Sequence, residues 1–426
     1  MTRFMRLGFS VAVFLLSVPF AVSQTPLPLN ILERVNVGGN DRMTTFDISK
    51  EDCSPETCPS DGQVFYVPAG QEPGTLALNR FYNGPDHLDS TKTSVPGYIL
   101  EGPNGFPFGR NSLLGLARLY EGVNATGDHA LMRQSEQLTG YVKEPLGAFG
   151  YPRFGNQTES ILALNAGGVK IESNRVFGGA LWRWTWNGKQ FLSNLDSLRG
   201  SYDVLFLNGY TNYIDENGDD CQNHAPIVSA TNAGSTQLTV AVPLANPALY
   251  SDNPCLHPVV WKDAILGKQI TLNFHGMGPV AKYTTLAWLP GAIPAVDFYH
   301  PISSLGAEFN RYFFYDAESA DLQEHFIADS CEGSEPFFPN FGGVILSDPS
   351  QNFAMGAYAV NTSHGGSITA LNLLRHVCDD GTYSRIDVIR SDDMPAGFSS
   401  YNAYFMTGTV QQVRGYMNAL FKAGVK

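Results

Sequence analysis

The sequence predicts an all-β protein in two parts, a small module of three repeats followed by a large antiparallel β-sandwich, with one helix at the C-terminus. Three observations lead there. The 426-residue chain carries 43 Gly, 26 Pro, 27 Phe, 19 Tyr and 5 Trp but only 16% charged residues, a turn-rich, aromatic-rich composition short of what long helices prefer. A pattern of Arg, an apolar residue and then Asp recurs three times before residue 152. Beyond it, stretches such as Thr236 to Val242 and Gln269 to Phe274 alternate with period two, as half-buried strands do. At roughly 150 residues per domain, the chain is too long for one small fold.

Residues 1–23 read as a secretory signal peptide. Arg3 and Arg6 precede an apolar run from Leu7 to Phe20, and Ala21-Val22-Ser23 provides a small-residue exit. The run falls short of the roughly 20 apolar residues that span a bilayer, so the expected destination is extracellular. A net charge of -13 with no Lys/Arg run gives a phosphate backbone or an anionic membrane nothing to bind, which argues against both as partners.

Export makes the six cysteines disulfide candidates. Fifteen pairings are possible; the simplest joins Cys53 to Cys58, Cys221 to Cys255 and Cys331 to Cys378, each pair flanking a short loop or one stretch of strand pattern. Short spacings such as His376 to Cys378 offer a metal reading, but no Cys-x-x-Cys occurs and oxidised sulfurs are not thiolate ligands. Neither a metal nor a cofactor is expected. Asn124, Asn156 and Asn361 head glycan acceptor triplets, which would mark surface loops.

The repeats define residues 24–152. Glu33-Arg34-Val35-Asn36 leads to Asp41-Arg42, Asn79-Arg80-Phe81-Tyr82 to Asp86-His87, and Ala117-Arg118-Leu119-Tyr120 to Asp128-His129, the arginines lying 46 and 38 residues apart. A further strand follows each, at Val64 to Val67, Gly97 to Glu101 and Gly140 to Glu144. Units of roughly 40 residues cannot bury a face alone and must share one core. Three-fold closure of short strands, the logic of a β-trefoil, also removes exposed strand edges.

The second and third units, Leu78 to Leu88 with Gly97 to Gly102 and Leu116 to Leu131 with Gly140 to Glu144, resemble a Gly-Asp-His repeat of secreted proteins that often accompanies cell-wall or polysaccharide hydrolases. The resemblance covers residues 30 to 152. The first unit departs from it, with Arg42 after its Asp and no Tyr in its leading strand. It implies a sugar-binding module with Tyr82, Asp86, His87, Tyr120, Asp128 and His129 as contacts, rings stacking on sugar C–H faces and Asp/His bonding hydroxyls. The same residues could instead be inter-repeat hydrogen bonds that fix the fold.

Residues 153–426 form the second part. Its length exceeds an immunoglobulin-size sandwich and suits a two-sheet supersandwich. Val410, Val413, Met417, Leu420 and Phe421 make the one helical stripe. Phe177 to Leu192 reads as a strand with Trp182, Trp184 and Trp186 on one face, a Trp-Asn-Gly-Lys turn and a return. It looks like the start of uncharacterised secreted galactose-mutarotase-like β-sandwiches, and the resemblance places Arg199 and Glu216 in loosely equivalent functional positions.

No linear hydrolase, zincin or dinucleotide motif is present. His275, His300 and Arg311, with Glu216, are the catalytic candidates by residue type and loop position; His364 sits in another loop that could approach a ligand. The expected function is binding of extracellular polysaccharide or glycoconjugate through the N-terminal module. Alternatives are a carbohydrate-active hydrolase, lyase or epimerase acting in the sandwich, and a structural or host-interaction protein.

Overall fold

The computed structural model describes residues 26–425 apart from 39–40, 46–50, 52–56, 85, 112–115, 134–135, 153–160, 175–178, 194–199, 208–209, 214–228, 234–235, 246–258, 332–336, 339–341, 360–368 and 379–380. The expected signal peptide, Cys53, Cys221, Cys255, Asn156, Asn361, Arg199, Glu216 and His364 lie outside the described residues. What is described is overwhelmingly β-strand with one α-helix, as expected. No helix among the described residues is long and apolar enough to cross a membrane.

Nine strands form the repeats: β1 (Pro26–Gly38), β2 (Asp41–Thr45), β3 (Ser60–Pro68), β4 (Leu78–Tyr82), β5 (His87–Ser90), β6 (Ile99–Gly105), β7 (Ala117–Val123), β8 (His129–Arg133) and β9 (Val142–Pro152). Each unit is built alike. Its first strand pairs antiparallel with the second in a hairpin and with the third on its other edge. The shared core is Leu32, Val64, Phe65, Val67, Leu78, Leu119, Leu131 and Ala148, contributed by all three units, so none is apolar-complete alone.

β1 also belongs to the second part. Pro26, Leu27 and Pro28 pair with Trp261, Val260 and Val259 before the strand continues into the repeats. Ile265 accordingly packs with Leu27, Leu29, Tyr66, Phe108 and Leu116 in one apolar cluster.

Two sheets, antiparallel except for one short edge pairing, make up the sandwich. One orders strands Leu322–His325, Arg311–Tyr315, Gly343–Ser347, Ala354–Ala359, Gly397–Gly408, Val280–Leu289, Val259–Leu272 and Gln237–Ala245; the other runs Ile161–Ala166, Val169–Asn174, Ala180–Trp186, Ser201–Leu207, Ile293–Gly306, Gly381–Met394, Thr369–Cys378 and Asp329–Ser330. Alternation decides which face is buried. In Val280–Leu289, Ala281, Tyr283, Ala287 and Leu289 enter the inter-sheet core while Val280 faces outward beneath the helix. Of the tryptophan row, Trp184 is core, 2% exposed and 6.1 Å from Phe405, and Trp186 packs edge-on to Phe353. The turn after them holds Asn187 and Gly188 at φ 48° and 79°, as a two-residue hairpin requires.

The helix α1 (Val410–Lys422) starts at Thr409 with a reciprocal cap, Gln412 N donating to Thr409 Oγ1 at 3.2 Å and Thr409 N to Gln412 Oε1 at 2.9 Å. Val410, Val413, Met417 and Leu420 are buried on the outer face of the first sheet against Val280, Tyr358, Tyr404 and Met406. Polar connections cross the core as well: Lys268 Nζ lies 3.5 Å from Asp203 Oδ2, both buried, and Tyr283 Oη donates to the same carboxylate at 2.6 Å.

Candidate functional site

The repeat aspartates Asp41, Asp86 and Asp128 come together, with carboxylate oxygens within 4.8 Å of one another, and each is claimed by the residue after the aspartate of another unit. Asp41 accepts from the backbone N–H of His87 at 3.0 Å and lies 2.8 Å from its Nδ1. Asp86 does the same with His129, at 3.1 and 2.7 Å. Asp128 closes the cycle by accepting from Arg42 N at 3.0 Å and Arg42 Nη1 at 3.3 Å. Tyr98 and Tyr141 hydroxyls donate to Asp86 and Asp128. Burial works against the Asp86 charge, but the bonds from His129 and Tyr98 outweigh it and hold its carboxyl below the usual value. Burial likewise opposes protonation of His129, and Asp86 more than compensates, so its pKa is raised.

Four of the six expected sugar contacts, Asp86, His87, Asp128 and His129, are therefore engaged between units. Tyr82 stacks on His87 with centroids 4.6 Å apart, and Tyr120 is half-buried beneath the Lys143 ammonium at 5.9 Å.

The register corrects one repeat alignment. Arg34 stands opposite Thr44 and Arg80 opposite Asp89, each three residues past its hairpin's aspartate; in the third unit the residue so placed, opposite Leu131, is Glu121 and not Arg118. β7 simply begins earlier relative to its turn, and Arg118 is exposed with its guanidinium over Phe149. Arg34 donates to Leu131 O at 2.8 Å and to Glu136 at 2.7 Å, while Arg80 donates to Thr44 O at 3.3 Å and to Glu51 at 2.7 Å. Glu121 replaces this clamp with an acid. It lines a tight cleft with Arg42, His87, Asp89 and His129, and its Oε1 has no hydrogen-bond partner among the described residues. Burial, with Asp89 and Glu144 adding repulsion and His129 opposing, pushes its pKa up to about 7.

In the sandwich the described catalytic candidates are dispersed. His275 is exposed in the single turn Phe274–Gly276, at φ 53°, its ring stacked on Phe274 at 4.3 Å. His300 is 1% exposed, stacked on Phe298 at 5.1 Å and beside Tyr401, with no hydrogen-bond partner for either ring nitrogen among the described residues. Burial, with a smaller contribution from the Arg390 charge, pushes its pKa down to about 3, so it is a neutral ring of the core.

Arg311 lines an open groove of about 540 Å³ with Asn310, Tyr312, Glu324, His325, Phe326, Ile327, Asp329 and Arg375. The groove sits at the sandwich edge where the chain leaves one sheet after Leu322–His325 and joins the other at Asp329–Ser330. Alternation continues through the crossing. Ile327 plugs the core at 7% exposed, and Phe326 beside it projects outward at 91% exposed. Ser330 and Asp329 pair in parallel with His376 and Arg375, and the expected Cys331–Cys378 disulfide staples this end. Cys58 is also disulfide-bonded, its partner lying outside the described residues.

Both groove arginines are engaged in hydrogen bonds. Arg311 Nε and Nη2 donate to the two Glu324 oxygens at 2.7 Å each, and this fork holds the Glu324 carboxyl below its ordinary pKa. Arg375 Nη1 donates to Ala307 O at 2.7 Å and to Ser384 Oγ at 3.1 Å. An ionised, bidentate-paired carboxylate is an acceptor for hydroxyls and a poor general acid at neutral pH. The chemistry on offer is stacking and hydrogen bonding.

No protein-family model and no curated protein matches the sequence. Among solved structures the chain is similar in shape to an aldose 1-epimerase candidate from Klebsiella pneumoniae, at TM-score 0.39 and 7% identity over 60% of this chain and 81% of that one. It is similar to an α-galactosidase from Lactobacillus brevis, at TM-score 0.38 and 9% identity over 61% of this chain and 41% of that one. A heparan sulfate lyase from Pedobacter heparinus follows at TM-score 0.32 and 8% identity, over 59% and 36%. The chain spans well under half the length of the latter two proteins.

Proposed function

We propose that this is an extracellular saccharide-binding protein whose principal site is the sandwich-edge groove. The observation that carries the reading is Phe326, a large ring 91% exposed on a short crossing segment, flanked by Arg311, Glu324, Asp329 and Arg375 in an open groove of about 540 Å³. A stranded ring costs solubility unless something stacks on it. A pyranose supplies an apolar C–H face for the ring and hydroxyls for the flanking guanidinium and carboxylate groups. The staple at Cys331 suits an oxidising compartment and pre-organises the platform, reducing what must be ordered on binding.

The N-terminal units, proposed as a trefoil-like module of the Gly-Asp-His type, contribute a second, weaker contact through Tyr82 and Tyr120. Glycan-array screening of the full chain tests the proposal. Phe326→Ala is expected to weaken a detected ligand by up to about tenfold, the loss of one aromatic stack, and Arg311→Ala to weaken it further. No glycan binding by the folded wild type, or binding indifferent to Phe326→Ala, overturns it; loss confined to Tyr82→Ala and Tyr120→Ala moves the site to the repeats.

A further inference from the structure

We propose that the Cys331–Cys378 disulfide is a thiol-exchange site, with His376 positioning a proton for the departing Cys378 sulfur, and that its opening loosens the groove. The proposal does not depend on what the groove binds.

Three features converge on this bond. Cys331 is exposed and follows directly on the two-residue parallel pairing of Asp329–Ser330 with Arg375–His376, while Cys378 is half-buried. An incoming thiol thus reaches the Cys331 sulfur first. His376 Nδ1 lies 3.8 Å from Cys378 Sγ, and its ring is fixed by stacking on its cross-strand neighbour Tyr383 at 4.4 Å. A histidine held beside the Cys378 sulfur makes that sulfur a better leaving group, because exchange is faster when the departing thiolate is stabilised. The bond ties the crossing segment to the second sheet between two short pairings, Asp329–Ser330 on one side and Phe337–Phe338 on the other, and Asp329 and Arg375 both line the groove.

The chemistry balances with a small thiol as co-reactant. A thiolate attacks Cys331 Sγ, forming a mixed disulfide; the Cys331–Cys378 bond breaks and its electron pair goes to Cys378 Sγ, leaving a thiolate that accepts a hydrogen bond from an Nδ1–H of His376 and takes its proton from solvent. A second thiol attacks the mixed disulfide and releases Cys331. Two thiols are oxidised to one disulfide, and the protein disulfide is reduced to two thiols.

Dithiothreitol on the folded full-length protein is the probe, with timed alkylation and peptide mass spectrometry to follow each disulfide and circular dichroism to follow the fold. Cys331 and Cys378 are expected to be alkylated while the strand signal persists, and His376→Gln to slow this about tenfold without moving the melting temperature. Chymotrypsin, which cleaves after aromatic residues, is expected to cut at Phe326 only once the bond is open. The double variant Cys331→Ser with Cys378→Ser should be cut there without reductant, a readout that does not require the histidine variant to fold. Opening only on global unfolding, a wild-type rate in folded His376→Gln, or equal cleavage at Phe326 in the oxidised protein and the double variant overturns the proposal.

Discussion

Glu121 turns the repeats into a pH-dependent element. An unfolded glutamate titrates near 4.5, and in the folded chain burial raises this to about 7. A carboxyl with a raised pKa holds its proton more tightly when folded, so its contribution to stability is fully present below about pH 4.5 and is lost as pH rises through 7. The gap corresponds to about 3 kcal/mol as an upper bound, at 1.36 kcal/mol per pKa unit. His129, also raised, loses its contribution in the same direction, so the wild type alone cannot isolate Glu121. The difference between wild type and Glu121→Gln can. Urea unfolding of both proteins from pH 5 to pH 8 should show the variant gaining on the wild type by about 2 to 3 kcal/mol across that interval. Parallel stability curves would refute the reasoning. Glu121→Arg, which supplies the third unit with the side chain that clamps the first two, should exceed the wild type at pH 8.

Other substitutions probe other parts of the fold. Asp86→Ala removes one link of the aspartate cycle and strands the His129 ring, so thermal unfolding should show a loss of about 2 to 3 kcal/mol. Lys268→Met removes the buried countercharge of Asp203, and denaturant titration should report about 3 to 5 kcal/mol lost, whereas Lys268→Met with Asp203→Leu should recover much of it. Gly167→Ala would place a Cβ about 2.2 Å from the Gly278 backbone at φ +62°, a clash with no flexible side chain to yield, and should cost about 1 to 3 kcal/mol by the same assay.

Local periodicity carried most of the architecture into the sequence. The strand-rich body, the terminal helix with its Val410, Val413, Met417 and Leu420 stripe, the Asn187-Gly188 hairpin and the Cys331–Cys378 pair were all legible, because each depends on residues close in sequence or on a simple pairing rule. The repeat itself was legible, but its register was not. Arg118 has the right residue type next to the right neighbours, and the spacing to the aspartate, 7 in the first unit, 6 in the second and 10 in the third, was the signal that position 121 belongs there instead. What the Asp and His pairs contact depends on how the units pack on one another, which brings Asp41 to His87 and Asp128 to Arg42 across 46 and 86 residues. Lys268 and Phe326 were invisible for a related reason. A core lysine is recognisable only through Asp203 on the opposite sheet, and a stranded phenylalanine only when the chain's crossing between sheets is known.

The split course of β1 bears on how the protein is made. Its first residues, Pro26 to Pro28, emerge from the ribosome more than two hundred residues before their partners Val259 to Trp261, so the repeats can close on themselves while their leading edge waits unpaired. The seam between the two parts is then among the last contacts to form, and by topology among the slowest. Until it forms, Leu27 and its neighbours remain an open template for any passing strand. Rapid passage to the cell exterior or a holding chaperone would shorten that exposure, and excising the repeats from the chain would make it permanent.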